Sequence, residues 1–189
     1  MKIPTNNEFY AESIHEYGVC AQGVRWNSKY SQYKRFETIT KRIKKNITTS
    51  TLIDVGCGFG EYLHYLKTNK KIPYDYVGLD CEKDMINICK KRFPNEKFYL
   101  KDILVDELFY ADYLISSGAL NILNYEQIEI FIAKCYKYSN KAFVFNALKD
   151  LTFNNIKQNE IIDICKKYSQ QISVFEGYLD NDFTILMVK

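Results

Sequence analysis

Three glycines, Gly56, Gly58 and Gly60, are spaced as G-x-G-x-G between an apolar run, Leu52-Ile53-Asp54-Val55, and the helix-forming residues Glu61 to Leu66. A strand, a glycine turn and a helix in that order form a seat for a nucleotide-like ligand. Glycine lets the backbone turn tightly and lets a ligand approach the N–H groups. The helix N-terminus behind the turn favours a negative group.

Two ligand classes use such a turn. A dinucleotide wants a further glycine three residues after the second, and Glu61 stands there instead. A carboxylate at that point is expected to repel a pyrophosphate. S-adenosylmethionine carries no phosphate: its only anion is one carboxylate, beside an ammonium and a sulfonium. Acids such as Asp54 and Glu61 are tolerable next to it. A bare G-x-G-x-G also serves as a plain tight turn, so the choice rests on further positions.

Asp80 ends the segment YVGLD, 20 residues after Gly60. A carboxylate there can accept hydrogen bonds from both ribose hydroxyls, or it can cap the helix that follows. Cys81 and Met85 would offer soft apolar surface to an adenine. Asp102 ends FYLKD and either accepts from the adenine amino group, with Ile103 beside the ring, or caps its own loop. Ser117-Gly118 closes a later strand, at the edge where ligands of open sheets collect. Asn121 and Asn146 follow the fourth and fifth strands and either orient a substrate or form turns.

These residues need elements to hold them. Residues 32–45 place Phe36, Ile39 and Ile43 on one helical face. Strands and helices then alternate from TTSTLIDVG to KAFVFNA, which implies a mostly parallel sheet covered on both faces, a three-layer α/β sandwich of seven strands. The last two strands, QISVFEGY and DFTILMVK, are joined by Leu179-Asp180-Asn181. Three residues cannot carry a parallel crossover, so this pair is expected to be an antiparallel hairpin. The expected organisation is a single domain over 1–189, with an N-terminal lid and helix (1–45) and a Rossmann-like core (46–189).

The bulk properties bound the partners. The 189 residues are 47% hydrophobic with net charge +3. That charge is too weak, and its Lys/Arg clusters too scattered, to point to nucleic acid or a membrane surface. Six cysteines form no C-x-x-C pair and there are two histidines, so no metal site is expected. The opening MKIPTNNEFYAES lacks the apolar stretch of a secretion signal. The cysteines then read as free thiols in the cytoplasm.

Together DVGCGFG, GLD and LKDI resemble the class I, Rossmann-like S-adenosylmethionine-dependent methyltransferases. GVRWNSKYSQYKRFE (23–37), SSGALN (116–121), VFNALKD (144–150) and YLDNDFTILMVK (178–189) further resemble a group of small bacterial members. The resemblance runs from Tyr17 to Lys189. It implies S-adenosylmethionine as cofactor, S-adenosylhomocysteine as product, and an N-terminal segment closing over the cofactor. Arg35 could then pair with the cofactor carboxylate and Gln32 with the same end. Trp26 or Tyr17 could bring a ring near the sulfonium, a contact of about 0.5–2 kcal/mol. Trp26 and Phe36 could equally dock the segment, with Arg35 on the surface.

Methyl transfer is an in-line displacement, and the protein mainly holds the partners in line and excludes water. A general base is optional, and no catalytic dyad stands out. His15 and Tyr17 are weak candidates to reach the methyl, Tyr17 also to face the substrate, and His64 reads as structural. No NPPY-type tetrapeptide follows the fourth strand, which weighs against base methylation in nucleic acids. The reading is methyl transfer to an oxygen or nitrogen of a small molecule. The alternatives are a non-catalytic module that binds the cofactor and a nicotinamide-dependent oxidoreductase.

Overall fold

The computed structural model describes residues 29–43, 45, 47–151 and 156–189. His15, Tyr17 and Trp26 lie outside the described residues. Helix α1 (Lys29–Ile43) turns Phe36, Ile39 and Ile43 inward, as their spacing predicts. Strand β1 (Thr51–Val55) leads through the glycine turn into α2 (Glu61–Thr68). Then come β2 (Asp75–Asp80), α3 (Lys83–Arg92), β3 (Lys97–Leu100) and β4 (Ala111–Ser117). A 3-10 turn at Ala119–Ile122 precedes α4 (Tyr125–Tyr138), which starts on a capping box. Asn124 accepts from the Gln127 N–H at 2.9 Å and the Gln127 side chain accepts from the Asn124 N–H at 3.0 Å.

Strand β5 (Ser139–Leu148) is followed by a short ladder of β6 (Asp150–Leu151) with β7 (Ile156–Lys157), which the sequence reading did not contain. Helix α5 (Gln158–Tyr168) and strands β8 (Gln171–Phe175) and β9 (Asp182–Val188) complete the chain. The seven-stranded sheet has the order β3-β2-β1-β4-β5-β9-β8. All pairs from β3 to β5 are parallel. β9 runs antiparallel to both β5 and β8, the hairpin expected. β8 ends at Phe175, earlier than the sequence suggested, so six residues, 176–181, connect the pair and not three, still too few for a parallel crossover. β9 also wedges between β5 and β8, which turn chemistry alone does not specify.

Alternation along the strands divides the core in two. On one face Leu52, Tyr113, Ile115, Ala142 and Val144 pack under Phe36, Ile39 and Ile43 of α1 and under α2. On the other, Ile53, Val55, Leu114, Phe143, Phe145 and Ile185 meet Ile128, Phe131 and Ile132 of α4 and Ile161 and Ile164 of α5. Helix α1 is therefore part of the core, continuous with the sheet it covers. No helix among the described residues is long and apolar enough to cross a membrane.

Candidate functional site

Strand order places the exit of β1 beside those of β2 and β4. That is where chain connections leave in opposite directions and a crevice opens. A cavity of about 340 Å³ lies there. Its wall contains Gly56, Asp80, Cys81, Asp102 and Ile103, five of the residues that the sequence reading selected. Ala119, Ile122, Leu123, Gln127 and Phe131, from the 3-10 turn and α4, form the opposite wall. The sequence reading missed these. The capping-box pattern Asn124-x-x-Gln127 marks where that helix begins and could have drawn attention to them.

Gly56 has φ +75°, and an added Cβ would lie 2.7 Å from the Ala119 Cβ. Backbone conformation and close approach both require glycine at the cavity mouth. The turn also uses most of its own donors. The Gly56 and Cys57 N–H groups both donate to the Leu79 carbonyl at 2.8 and 2.9 Å, and Gly60 N–H donates to the Cys57 carbonyl at 3.0 Å. Gly58 N–H donates to the Asp80 carboxylate at 2.8 Å. So the expectation that the glycine N–H groups face a ligand is corrected. What remains for a ligand is the Phe59 N–H and the first turn of α2, whose N-cap, Gly60, supplies no side-chain acceptor.

Asp80 is buried at the end of β2. One oxygen accepts from Gly58 N–H and the other from Glu82 N–H at 2.9 Å. The sequence left open whether it caps or binds ribose. A carboxylate has about four acceptor sites and the backbone does not use them all, so capping leaves room for a hydrogen bond from a ribose. Burial pushes its carboxyl up, against the pull of the Glu82, Gly58 and Cys81 N–H groups. Asp102 is likewise double: it accepts from Leu104 N–H at 2.8 Å and stands in the cavity wall.

Several selected residues lie elsewhere. Asp54 is not in the wall. It shares the α1 face with Leu52 and accepts from the Tyr76 hydroxyl at 2.8 Å. Burial pushes its carboxyl up to about 7, opposed by the Tyr76 bond and reinforced by the charge of Asp80. Met85 points inward from α3 and is buried with Ile86 and Cys89, so it does not reach the wall. Gln32 and Arg35 are buried on α1. The Arg35 guanidinium forms a two-point ion pair with Asp182 of β9, one bond at 2.8 Å, so a carboxylate of its own chain takes the place foreseen for the cofactor's.

Glu61 differs from its reading as a free charge. It accepts from the Tyr33 hydroxyl at 3.0 Å and pairs with Arg92 at 3.0 Å. Its charge is compensated inside the fold, and the acids that face the crevice are Asp80 and Asp102. Ser117 ends β4 and pairs with Asn146, which lies within β5 and not after it, on the α1 face; the Ser117 hydroxyl donates to the Asn146 amide oxygen at 3.3 Å. Asn146 is 1% exposed, and its amide nitrogen has no partner. The buried amide oxygen of Asn121 has none either. Buried polar groups without partners cost about 1–3 kcal/mol each; these two lie near the C-terminal ends of β4 and β5, outside the cavity wall.

The comparisons with known proteins agree with this geometry. A family described as "Methyltransferase domain" matches residues 52–141. A Mycobacterium tuberculosis protein, Rv1506c, which is named as a methyltransferase, is 28% identical over 155 residues, covering 72% of this chain and 91% of its own. A TehB-like S-adenosylmethionine-dependent methyltransferase from Corynebacterium glutamicum superposes with TM-score 0.71 at 17% identity, over 97% of each chain. Magnesium protoporphyrin IX methyltransferase from Synechocystis, solved with S-adenosylmethionine bound, gives TM-score 0.68 at 12% identity, over 100% of this chain and 86% of its own.

Proposed function

We propose that this chain is a class I S-adenosylmethionine-dependent methyltransferase, as the family match and the shared fold support, and that it transfers a methyl group to an oxygen or nitrogen of a small molecule. The observation that carries the reading is Asp80. It is a buried carboxylate at the end of β2, held by backbone N–H groups that include those of Gly58 and Glu82, and it stands in the wall of the crevice. An oxygen pair held in that way suits the two hydroxyls of an unphosphorylated ribose.

The surrounding residues fit the rest of the cofactor. Ile103, Leu123 and Phe131 offer apolar surface to an adenine, and Asp102 offers an acceptor to its amino group. The uncapped first turn of α2 suits a carboxylate. When bound, S-adenosylmethionine supplies a methyl carbon already activated by positive sulfur. The chain then has to exclude water and hold the acceptor in line. Asn121 and Asn146, whose buried polar atoms lack partners, are suited to orient that acceptor. A hydroxyl or amine needs only one donor and one acceptor to be fixed, and these two amides offer one of each.

Tyr178 donates to or accepts from Thr184 at 2.9 Å, and burial pushes its hydroxyl up to about 12. It therefore stays neutral and cannot serve as a general base near neutral pH. Reaction by orientation alone is consistent with that. Calorimetry with S-adenosylhomocysteine, followed by assay of its formation from S-adenosylmethionine with hydroxyl and amine acceptors, tests the proposal. Micromolar binding with turnover on a small acceptor is expected. Turnover confined to nucleic acid or protein acceptors would contradict it.

A further inference from the structure

The glycine turn is gripped from behind by one side of α3. Cys89 and Arg92 are three residues apart on that helix and so share a face. The Cys89 thiol donates to the Gly58 carbonyl at 3.1 Å, and Arg92 Nη1 donates to the next carbonyl, Phe59, at 2.6 Å. The Cys57 thiol reaches the Gly58 carbonyl only at 3.6 Å. Arg92 Nη2 also holds Glu61 at 3.0 Å, and Glu61 in turn accepts from Tyr33 of α1. The Arg92 guanidinium lies 5.3 Å from the Phe59 ring centroid and 5.1 Å from that of Phe93, so its direction is set by packing as well.

A trans peptide points its carbonyl opposite to the N–H of the following residue. Drawing the Gly58 carbonyl toward Cys89 therefore turns the Phe59 N–H away from α3. Drawing the Phe59 carbonyl toward Arg92 turns the Gly60 N–H to the Cys57 carbonyl, where it is found at 3.0 Å. Two peptide planes of the turn are fixed through their carbonyls, and the donor that is left, Phe59 N–H, is aimed by default.

We propose that Cys89 and Arg92 are positioning residues for cofactor binding. They form a template on α3 that aims the Phe59 N–H and the open N-terminus of α2 at the amino-acid carboxylate of S-adenosylmethionine. Glu61 and Tyr33 tie α1 to the same frame. Neither residue touches the ligand; both act through the turn. The proposal rests on the cofactor reading given above.

The test is calorimetry with two probes, S-adenosylhomocysteine and adenosine, beside the melting temperature of each variant. Adenosine lacks the amino-acid end, so it reads the cavity without the turn's donors. Arg92→Gln is expected to weaken S-adenosylhomocysteine about tenfold, from the loss of a charged hydrogen bond that orients the turn. Cys89→Ala is expected to weaken it about threefold, because a thiol is a weak donor, and Cys89→Ser, which keeps a donor, to restore it. Adenosine affinity is expected to stay within about twofold throughout.

Equal losses for both probes overturn the proposal, as does unchanged affinity for S-adenosylhomocysteine beside a lowered melting temperature. In either case that helix face only supports the fold. If Arg92→Gln does not fold, Arg92→Lys keeps a cation near the rings but cannot span both acceptors, and it reads the same contrast. A wild type that binds adenosine but not S-adenosylhomocysteine also overturns the proposal. A wild type that binds neither removes the cofactor reading itself.

Discussion

Replacing Asp54 by Asn should flatten the pH dependence of stability. Asp54 is buried with one hydrogen bond, from the Tyr76 hydroxyl at 2.8 Å, and its carboxyl is pushed up to about 7. In the unfolded chain an aspartate titrates near ~3.9. Between these values the folded protein holds a proton that the unfolded chain has lost. The stabilisation is therefore fully present below about 4 and lost as pH rises through about 7. Three pH units correspond to about 4 kcal/mol. For a chain of this size that is about 8–16 °C in melting temperature.

Asparagine resembles the protonated acid. It still accepts from Tyr76 but never ionises. The wild type should lose several degrees between pH 5 and pH 8, and Asp54→Asn should lose much less. Asp80 is also pushed up, but it is present in both proteins, so the difference between the two curves isolates Asp54 and its repulsion with Asp80. Thermal unfolding followed by circular dichroism across that range is the assay. Parallel curves would refute the reasoning. Because Asp54 faces Tyr76 and lies outside the cavity wall, its Asn variant should keep its affinity for S-adenosylhomocysteine within about threefold at pH 6.

Gly56→Ala should cost about 1–2 kcal/mol for the left-handed backbone and about 1–3 kcal/mol more for crowding against Ala119. Adding Ala119→Gly should recover the second part alone, read by chemical denaturation. Asp80→Asn should weaken S-adenosylhomocysteine by about 10- to 100-fold in calorimetry, through lost charged hydrogen bonds; an unchanged constant would remove Asp80 from the ribose. Asp182→Ala should destabilise by about 3–5 kcal/mol in urea unfolding because it removes the carboxylate that pairs with the buried Arg35 at two points; a cost under about 1 kcal/mol would mean that the pair is not held.

The readable parts of the sequence were those whose cause is local. The hairpin of β8 and β9 follows from a connection too short for anything else. Phe36, Ile39 and Ile43 share a face by spacing alone. Gly56, Asp80, Cys81, Asp102 and Ile103 lie where strand ends are expected to meet, and the fold brings them to one wall.

The rest depended on partners distant along the chain. Glu61 looked like an uncompensated charge because Tyr33 and Arg92, which neutralise it, lie 28 and 31 residues away. Arg35 looked available because Asp182 is 147 residues off. Met85 sits on a helix whose inward stripe, Met85, Ile86 and Cys89, becomes evident only once β2 and β3 are in place beside it. The turn's N–H groups looked open because the carbonyl of Leu79 and the carboxylate of Asp80, which take three of them, belong to the next strand.

The central claim is that the crevice beside Asp80 seats an unphosphorylated adenosine whose amino-acid tail reaches the first turn of α2. A crystal structure of the complex with S-adenosylhomocysteine tests it most directly. The expected result is both ribose hydroxyls within hydrogen-bonding distance of the Asp80 carboxylate, with the adenine between Ile103 and Leu123. Adenosine bound outside that cavity, or a ribose whose hydroxyls turn away from Asp80, would contradict the account.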